Sequence, residues 1–368
     1  MRITFILPFA SMGGGTRVIA VYAQELTTRG HDVRLISLPL PARSFAEKLK
    51  SLLKGNGWSR QWSRSSHLDK LKLNHQVLDI RRPITDADVP DADVVIATWW
   101  ETAEWVNRLS PKKGAKVYFI QHHEVFPYLP ERSRETYRLP LHKVVIAQWL
   151  KQIMIDEYAD NVVDVVPNSV DQSQFFAPMR GKQNRPTVGL LYSTTPFKGM
   201  DLSLEALRIL GHKFADLRIV CFGSERIRRG FELPNGAEFH FDPPQSHIRD
   251  LYAKCDVWLT ASSTEGFNLP AMEAMACRTP VVSTRTGWPA EAVRSGWNGM
   301  LVDVGADKDQ VAQAVQWVLI QPEEEWMRLS SNAFQTVAQS SWKASASLFE
   351  EALKNARRRA ARGEIAGS

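Results

Sequence analysis

The chain has 368 residues, 44% of them hydrophobic and 23% charged, which excludes a disordered or fibrous protein and allows two globular domains of ordinary size. Its three cysteines, Cys221, Cys255 and Cys277, lie among apolar neighbours without metal-ligand spacing, so they read as buried thiols of a reducing, cytoplasmic compartment rather than a disulfide framework. The formal charge of +6 is concentrated between Pro41 and Lys72, where eight basic residues face two acidic ones, so the positive field is local and points to an anionic partner surface.

In chain order, RITFILPF reads as a first strand; with one basic residue and a patterned helix directly behind it, it does not read as a signal peptide. A Gly-rich loop, Ser11–Gly15, and the helix TRVIAVYAQELTTRG follow, then the strand HDVRLISL. Residues 42–64 place Phe45, Leu49 and Leu52 or Leu53 on one helical face with lysines around it. That pattern suits a peripheral helix on the anionic inner face of a membrane, or equally a solvated helix covering the first domain. No nucleic-acid motif accompanies the charge, and no apolar run approaches the ~18 residues of a membrane span.

Further on, DVVIATWW, KVYFIQHH and KVVIAQWL continue a rhythm of apolar strands and amphipathic helices, the mark of βα units around a parallel sheet. After a stretch near 168–186 rich in Pro, Gln, Asn and Gly the pattern restarts with TVGLLYS, a helix from about Asp201 to Leu210, LRIVCFG, HIRDLYAKC, DVWLTAS and PVVST. The fold class is therefore α/β, with two doubly wound Rossmann-like domains facing across a cleft, over residues 1–168 and 169–342. A final helix from about Trp342, in residues 343–368, crosses back to the first domain, and from about Gly363 a disordered tail is expected.

Open parallel sheets bind ligands beyond the carboxyl ends of their strands, so the loops that follow strands carry the chemistry. Asp86, Asp88, Asp91 and Asp93 resemble metal-binding aspartate pairs, but the second pair precedes a strand and lies at the wrong end of the sheet, so no metal site is assigned. The first loop, SMGGGT, lacks dinucleotide-binding spacing, and the next strand ends without a ribose-binding acid, which argues against a nicotinamide-dependent oxidoreductase.

The densest signal is STEGFNLPAMEAMACRTPVVST, residues 263–284. Pro270 suits the first turn of a helix, which should begin near Leu269 and run through Cys277, with its unpaired N–H groups open to an anion. Glu273 is then expected in the first turn, where a carboxylate repels phosphate but can accept hydrogen bonds from a vicinal diol such as a ribose. Glu265, before Gly266, can do the same for a second sugar. Taken alone, the two glutamates equally suit a helix dipole and a solvated loop. Lys198, in the loop before DLSLEAL, adds the compact positive charge that a diphosphate needs.

Together EGFNLPAMEAMACRTPVV, PFKGMDLSLEAL, VVPNSVDQSQF and TRTGWPAEAVRSGWNGMLV resemble the retaining glycosyltransferases of family 4, which have the GT-B fold; the likeness runs from about Val165 to Val304 and is looser before that. The resemblance implies transfer of a sugar, with retention, from a nucleotide diphosphate donor held by the second domain to a glycan or lipid-linked acceptor held by the first. It implies neither metal nor other cofactor. On the same basis Lys198 would neutralise the diphosphate, Glu265 would contact the transferred sugar and Glu273 the ribose. Gly266, Phe267, Asn268 and Leu269 would offer N–H groups, and Gly223 would lie on the donor side. Gly13, Gly14 and Gly15 would let backbone approach the ligands, and His122 or His123, the former favoured, would reach the sugar. The sequence departs from the family pattern at three places: Tyr192 or Ser193 replaces a phosphate-binding arginine, for which Arg226 or Arg285 would substitute, Asn268 stands where a small residue is common, and Trp288 where a second glycine is expected. Cell-envelope or exopolysaccharide synthesis is the expected role, with a small-molecule or secondary-metabolite acceptor, or a non-catalytic nucleotide- or carbohydrate-binding protein, as alternatives.

Overall fold

The computed structural model describes residues 1–41, 66–69 and 71–366. The basic segment 42–64, and with it the expected membrane helix, lies outside the described residues. Two compact units divide the chain: residues 1–167 with 342–368, and residues 168–341.

The first unit is a parallel sheet of β1 (Arg2–Leu7), β2 (Asp32–Ser37), β3 (Asn74–Val77), β4 (Val94–Ala97), β5 (Ala115–Ile120), β6 (His142–Val145) and β7 (Val163–Val165). Their spatial order is β3-β2-β1-β4-β5-β6-β7. Strands β4, β5 and β6 are buried along their whole length, as expected when helices cover both faces of a parallel sheet. The helix Trp342–Ala361 completes this core: Phe349 stacks on Tyr22 at 4.6 Å and meets Phe119 edge-on at 5.0 Å.

Beyond that helix the chain does not dangle. Ile365 is buried and the Ala366 N–H donates to the Pro140 carbonyl at 2.8 Å, so the disorder expected from Gly363 is corrected through Ala366.

The second unit repeats the plan with β8 (Thr187–Leu191), β9 (Arg218–Gly223), β10 (Glu238–Phe241), β11 (Val257–Thr260), β12 (Val281–Thr284) and β13 (Gly299–Val302), in the order β10-β9-β8-β11-β12-β13. Leu204, Leu207, Leu210, Val315, Val318 and Trp326 pack one face of its core. The helix expected from about Asp201 to Leu210 runs from Met200 to Lys213.

Among the described residues no helix is long and apolar enough to cross a membrane. The four aspartates before β4 are engaged by protein groups. Asp88 forms two 2.6 Å bonds with Arg82, Asp86 accepts from the Ser110 N–H at 2.9 Å, Asp91 pairs with Lys113 at 2.9 Å, and Asp93 accepts from the Arg2 N–H at 2.7 Å.

Candidate functional site

In the second unit the strand order reverses between β8 and β11, since β9 and β10 lie on one side and β12 and β13 on the other. At such a reversal the two connecting helices leave toward opposite faces and open a crevice at the carboxyl ends. The loops after β8 and β11 meet there: the Ser263 N–H donates to the Phe197 carbonyl at 2.9 Å. Gly199 makes the approach possible. Its φ is +62°, and a Cβ there would stand 1.9 Å from the Ala261 carbonyl oxygen.

This crossing brings Lys198 and Glu265 together, 67 positions apart in sequence. The ammonium bonds both carboxylate oxygens, at 2.8 and 2.9 Å, and the Ser262 hydroxyl donates to one of them at 2.8 Å. The carboxylate side chain is 8% exposed and the lysine 28%, so the acid is the member that depends on its partner.

The helix Leu269–Ala276 starts directly behind this pair, with Pro270 in its first turn. Asn268 caps it: at φ 76° it sits in the left-handed region, its Oδ1 accepts from the Ala271 N–H at 3.4 Å, and its Nδ2 donates to Thr260 at 3.0 Å. Asparagine tolerates that conformation and supplies a capping oxygen, which accounts for its presence where a smaller residue is common. The helix begins at Leu269 as expected, but Glu273 is its fifth residue and so lies in the second turn, not the first, since one turn takes 3.6 residues. It is buried and accepts from the Tyr252 hydroxyl at 2.9 Å.

Behind the glutamate loop, Gly287 has φ +57° and a Cβ there would approach the Glu265 Cβ to 2.8 Å. Trp288 stacks on Phe267 at 5.8 Å and donates its N–H to the Phe267 carbonyl at 2.8 Å. The tryptophan thus braces the loop that carries Glu265 and Phe267.

Where an arginine was missed at Ser193, the structure places a carboxylate that sequence reasoning overlooked. Glu225, in the loop after β9, accepts from the Ser193 and Thr194 hydroxyls at 3.1 and 2.6 Å and pairs with Arg228 at 3.1 Å. Of the proposed substitutes, Arg226 lies over the Phe241 ring at 5.1 Å and Arg285 pairs with Asp303 at 3.1 Å, both partners of the latter being well exposed. Gly223 has a packing reason of its own, since a Cβ there would meet the Tyr192 carbonyl oxygen at 2.4 Å.

In the first unit, Gly14 opens the helix Gly14–Thr28, and a Cβ on it would meet no protein atom within 4 Å. The space over this helix start is therefore open. Gln121, directly after β5, donates from Nε2 to the Gly15 carbonyl at 3.3 Å and joins the glycine loop to the histidine loop.

The two histidines differ. His123 Nε2 lies 2.7 Å from the Tyr158 hydroxyl, its ring packs against Tyr137, and burial pushes its pKa down to about 4. It is a neutral, structural ring. His122 Nδ1 lies 3.0 Å from the His123 carbonyl, which can only accept, so Nδ1 carries the proton and Nε2 of the neutral ring is an acceptor. Between them and the helix Trp100–Arg108, Glu124 is fully buried, accepts from the Trp100 N–H at 3.2 Å, and has its pKa pushed well up by burial.

Two doubly wound sheets, with an ammonium, a carboxylate and a capped helix start at the reversal of the second, define the GT-B class of α/β proteins. Comparisons with known proteins agree. Residues 12–174 match the model of Glycosyltransferase Family 4 and residues 172–336 that of Glycosyl transferases group 1. The chain belongs to this glycosyltransferase family. Sucrose-phosphate synthase from Thermosynechococcus elongatus is similar in structure, with a TM-score of 0.70 at 14% identity over 96% of this chain and 98% of that one. The Anabaena protein HepE, solved with UDP and glucose, gives 0.72 at 17% identity over 96% and 100%. In sequence, a D-inositol 3-phosphate glycosyltransferase of Thermobispora bispora is 35% identical over 184 residues, 44% of this chain and 42% of the relative. Such matches span less than half the length of the curated relatives.

Proposed function

We propose that this chain moves a hexose or related sugar from a nucleoside diphosphate donor to a hydroxyl of a glycan or lipid-linked acceptor, with retention and without a metal. The observation that carries this reading is the Lys198–Glu265 pair at the β8/β11 reversal, beside the start of the helix Leu269–Ala276. A diphosphate at that helix start meets the positive end of the helix dipole and the lysine ammonium, which together offset its charge. Glu265 then accepts hydrogen bonds from hydroxyls of the transferred sugar, and Glu273 from the ribose.

In the reaction the bond from C1 to the diphosphate oxygen breaks as the acceptor oxygen bonds C1 on the same face. The proton leaves the acceptor hydroxyl for the departing diphosphate. Protein groups hold the two substrates in register and stabilise charge on the leaving group, and Lys198 is the cation assigned to do so. His122, with Nε2 as acceptor, takes a hydrogen bond from a sugar hydroxyl.

UDP in the HepE structure supports a uridine donor, and cell-envelope or exopolysaccharide synthesis is the role we favour. The D-inositol 3-phosphate glycosyltransferases among the relatives favour a second reading, transfer to a small polyol phosphate. A thermal-shift panel of UDP, GDP, ADP and dTDP sugars tests the donor, since a ligand bound only by the native state raises Tm. A rise for one nucleotide, lost in Lys198→Ala, is expected; no rise with any of them removes the transfer reading. Transfer that persists in excess chelator is expected for the metal-free reaction.

A further inference from the structure

The loop after β5 ends in an aromatic feature that the donor site does not use. Phe126-Pro127-Tyr128-Leu129 is a tight turn: the Leu129 N–H donates to the Phe126 carbonyl at 2.8 Å, with proline at the second position, where its fixed φ is favoured. A second proline, Pro130, follows, and the Glu124 N–H bonds the Tyr137 hydroxyl at 2.6 Å, so both flanks are anchored. On this turn Tyr128 is 72% exposed, although its ring stacks on Phe126 at 5.3 Å with the planes 3° apart. Phe126 in turn lies 5.1 Å from the His122 ring. A large aromatic with one face packed, the other in water and little backbone freedom to withdraw is an ordered binding face.

We propose that Tyr128, backed by Phe126, is a platform on which a pyranose ring of the acceptor stacks, so that the acceptor presents a cyclic sugar rather than a linear polyol. The inference rests on the transferase reading above. The C–H-rich face of a pyranose is the partner that the electron-rich face of an aromatic ring attracts, while the rim hydroxyls need polar neighbours. Polar groups follow directly on the same loop, where Glu131 pairs with Arg134 at 3.9 Å and Arg132 with Glu104 at 3.6 Å.

The test is saturation-transfer NMR on the full chain with methyl α- and β-pyranosides of glucose, mannose and galactose, and with glucitol and mannitol as open-chain controls. Binding through the ring C–H protons is expected for at least one pyranoside and not for the alditols. Tyr128→Ala should weaken that binding roughly three- to tenfold, as loss of one stacking contact would, and Tyr128→Phe should restore it. The UDP-induced rise in Tm should be equal in all three proteins. The inference is overturned if no pyranoside binds, if the alditols bind as well, or if the alanine variant matches the parent. Absence of any nucleotide-induced shift would instead defeat the transfer reading and with it the acceptor role, so the two failures are told apart.

Discussion

The two sheets share one strand order up to the sixth strand, yet their reversal points are built from different chemistry. Between β8 and β11 an ammonium and a buried carboxylate face each other, while the loops after β1 and β4 bring Gly13 to Gly15 and hydroxyls, with Thr98 donating to the Ile6 carbonyl at 2.9 Å. Backbone topology places a crevice; the loops decide what it holds. In the second unit the charged groups are prearranged against each other before any ligand arrives. After β5 in the first unit the titratable groups His123 and Glu124 are instead engaged by the scaffold, while Gly14 and Tyr128 stand open.

The sharpest way to break this contrast is to remove one charge. Lys198→Ala should lower turnover by about 10²–10³, the range for losing one preorganised group that stabilises developing charge. Turnover within a few-fold of the parent would refute the assigned role. The same change should cost about 2–4 kcal/mol of stability in denaturant titrations, because it strands the buried Glu265, whereas Glu265→Gln, leaving a lysine that can reach water, should cost less. Adding Glu265→Gln to Lys198→Ala should restore part of that stability and none of the turnover.

A backbone change comes next. Gly199→Ala forces a left-handed φ and a clash with Ala261, and should destabilise by at least about 2–3 kcal/mol, read as a fall in Tm. Gly287→Ala presses on the Glu265 and Phe267 loop, and should lower kcat more than it raises the KM for donor, because it displaces a side chain without removing one.

The smallest effect belongs to the first unit. His123 has its pKa lowered from 6.5 to about 4 by burial, so the unfolded chain binds more protons between those values and stability is lost as pH falls through that window. His123→Gln should flatten that part of the stability curve, and an unchanged slope would show that the ring titrates as it does in water. Nucleotide binding at neutral pH should not respond.

Much of this was legible in the chain itself. Buried central strands such as VVIA, AKVYFI and VVST declare themselves because a doubly covered parallel sheet demands unbroken apolar runs. Edge strands did not: NHQV of β3 and EFHF of β10 are half in water, with nothing in their pattern to separate them from loop. Lys198, Glu265 and Glu273 were recognisable by their place after strands and around Pro270, but Glu225 was not, since an acid in the loop SERIRRG looks like any solvated glutamate until it is seen to hold Ser193 and Thr194.

Local rules of propensity, apolar runs and helix starts thus determined two doubly wound domains and the residues at their strand ends, because each rule acts within a few neighbours along the chain. Only the folded chain decided that Lys198 is matched to Glu265, that Glu273 lies a turn deeper against Tyr252, that His123 is spent on Tyr158, and that Ile365 seats the tail. Each of these is a contact between segments distant in sequence, and its energy depends on burial, which has no value until the chain has closed around it.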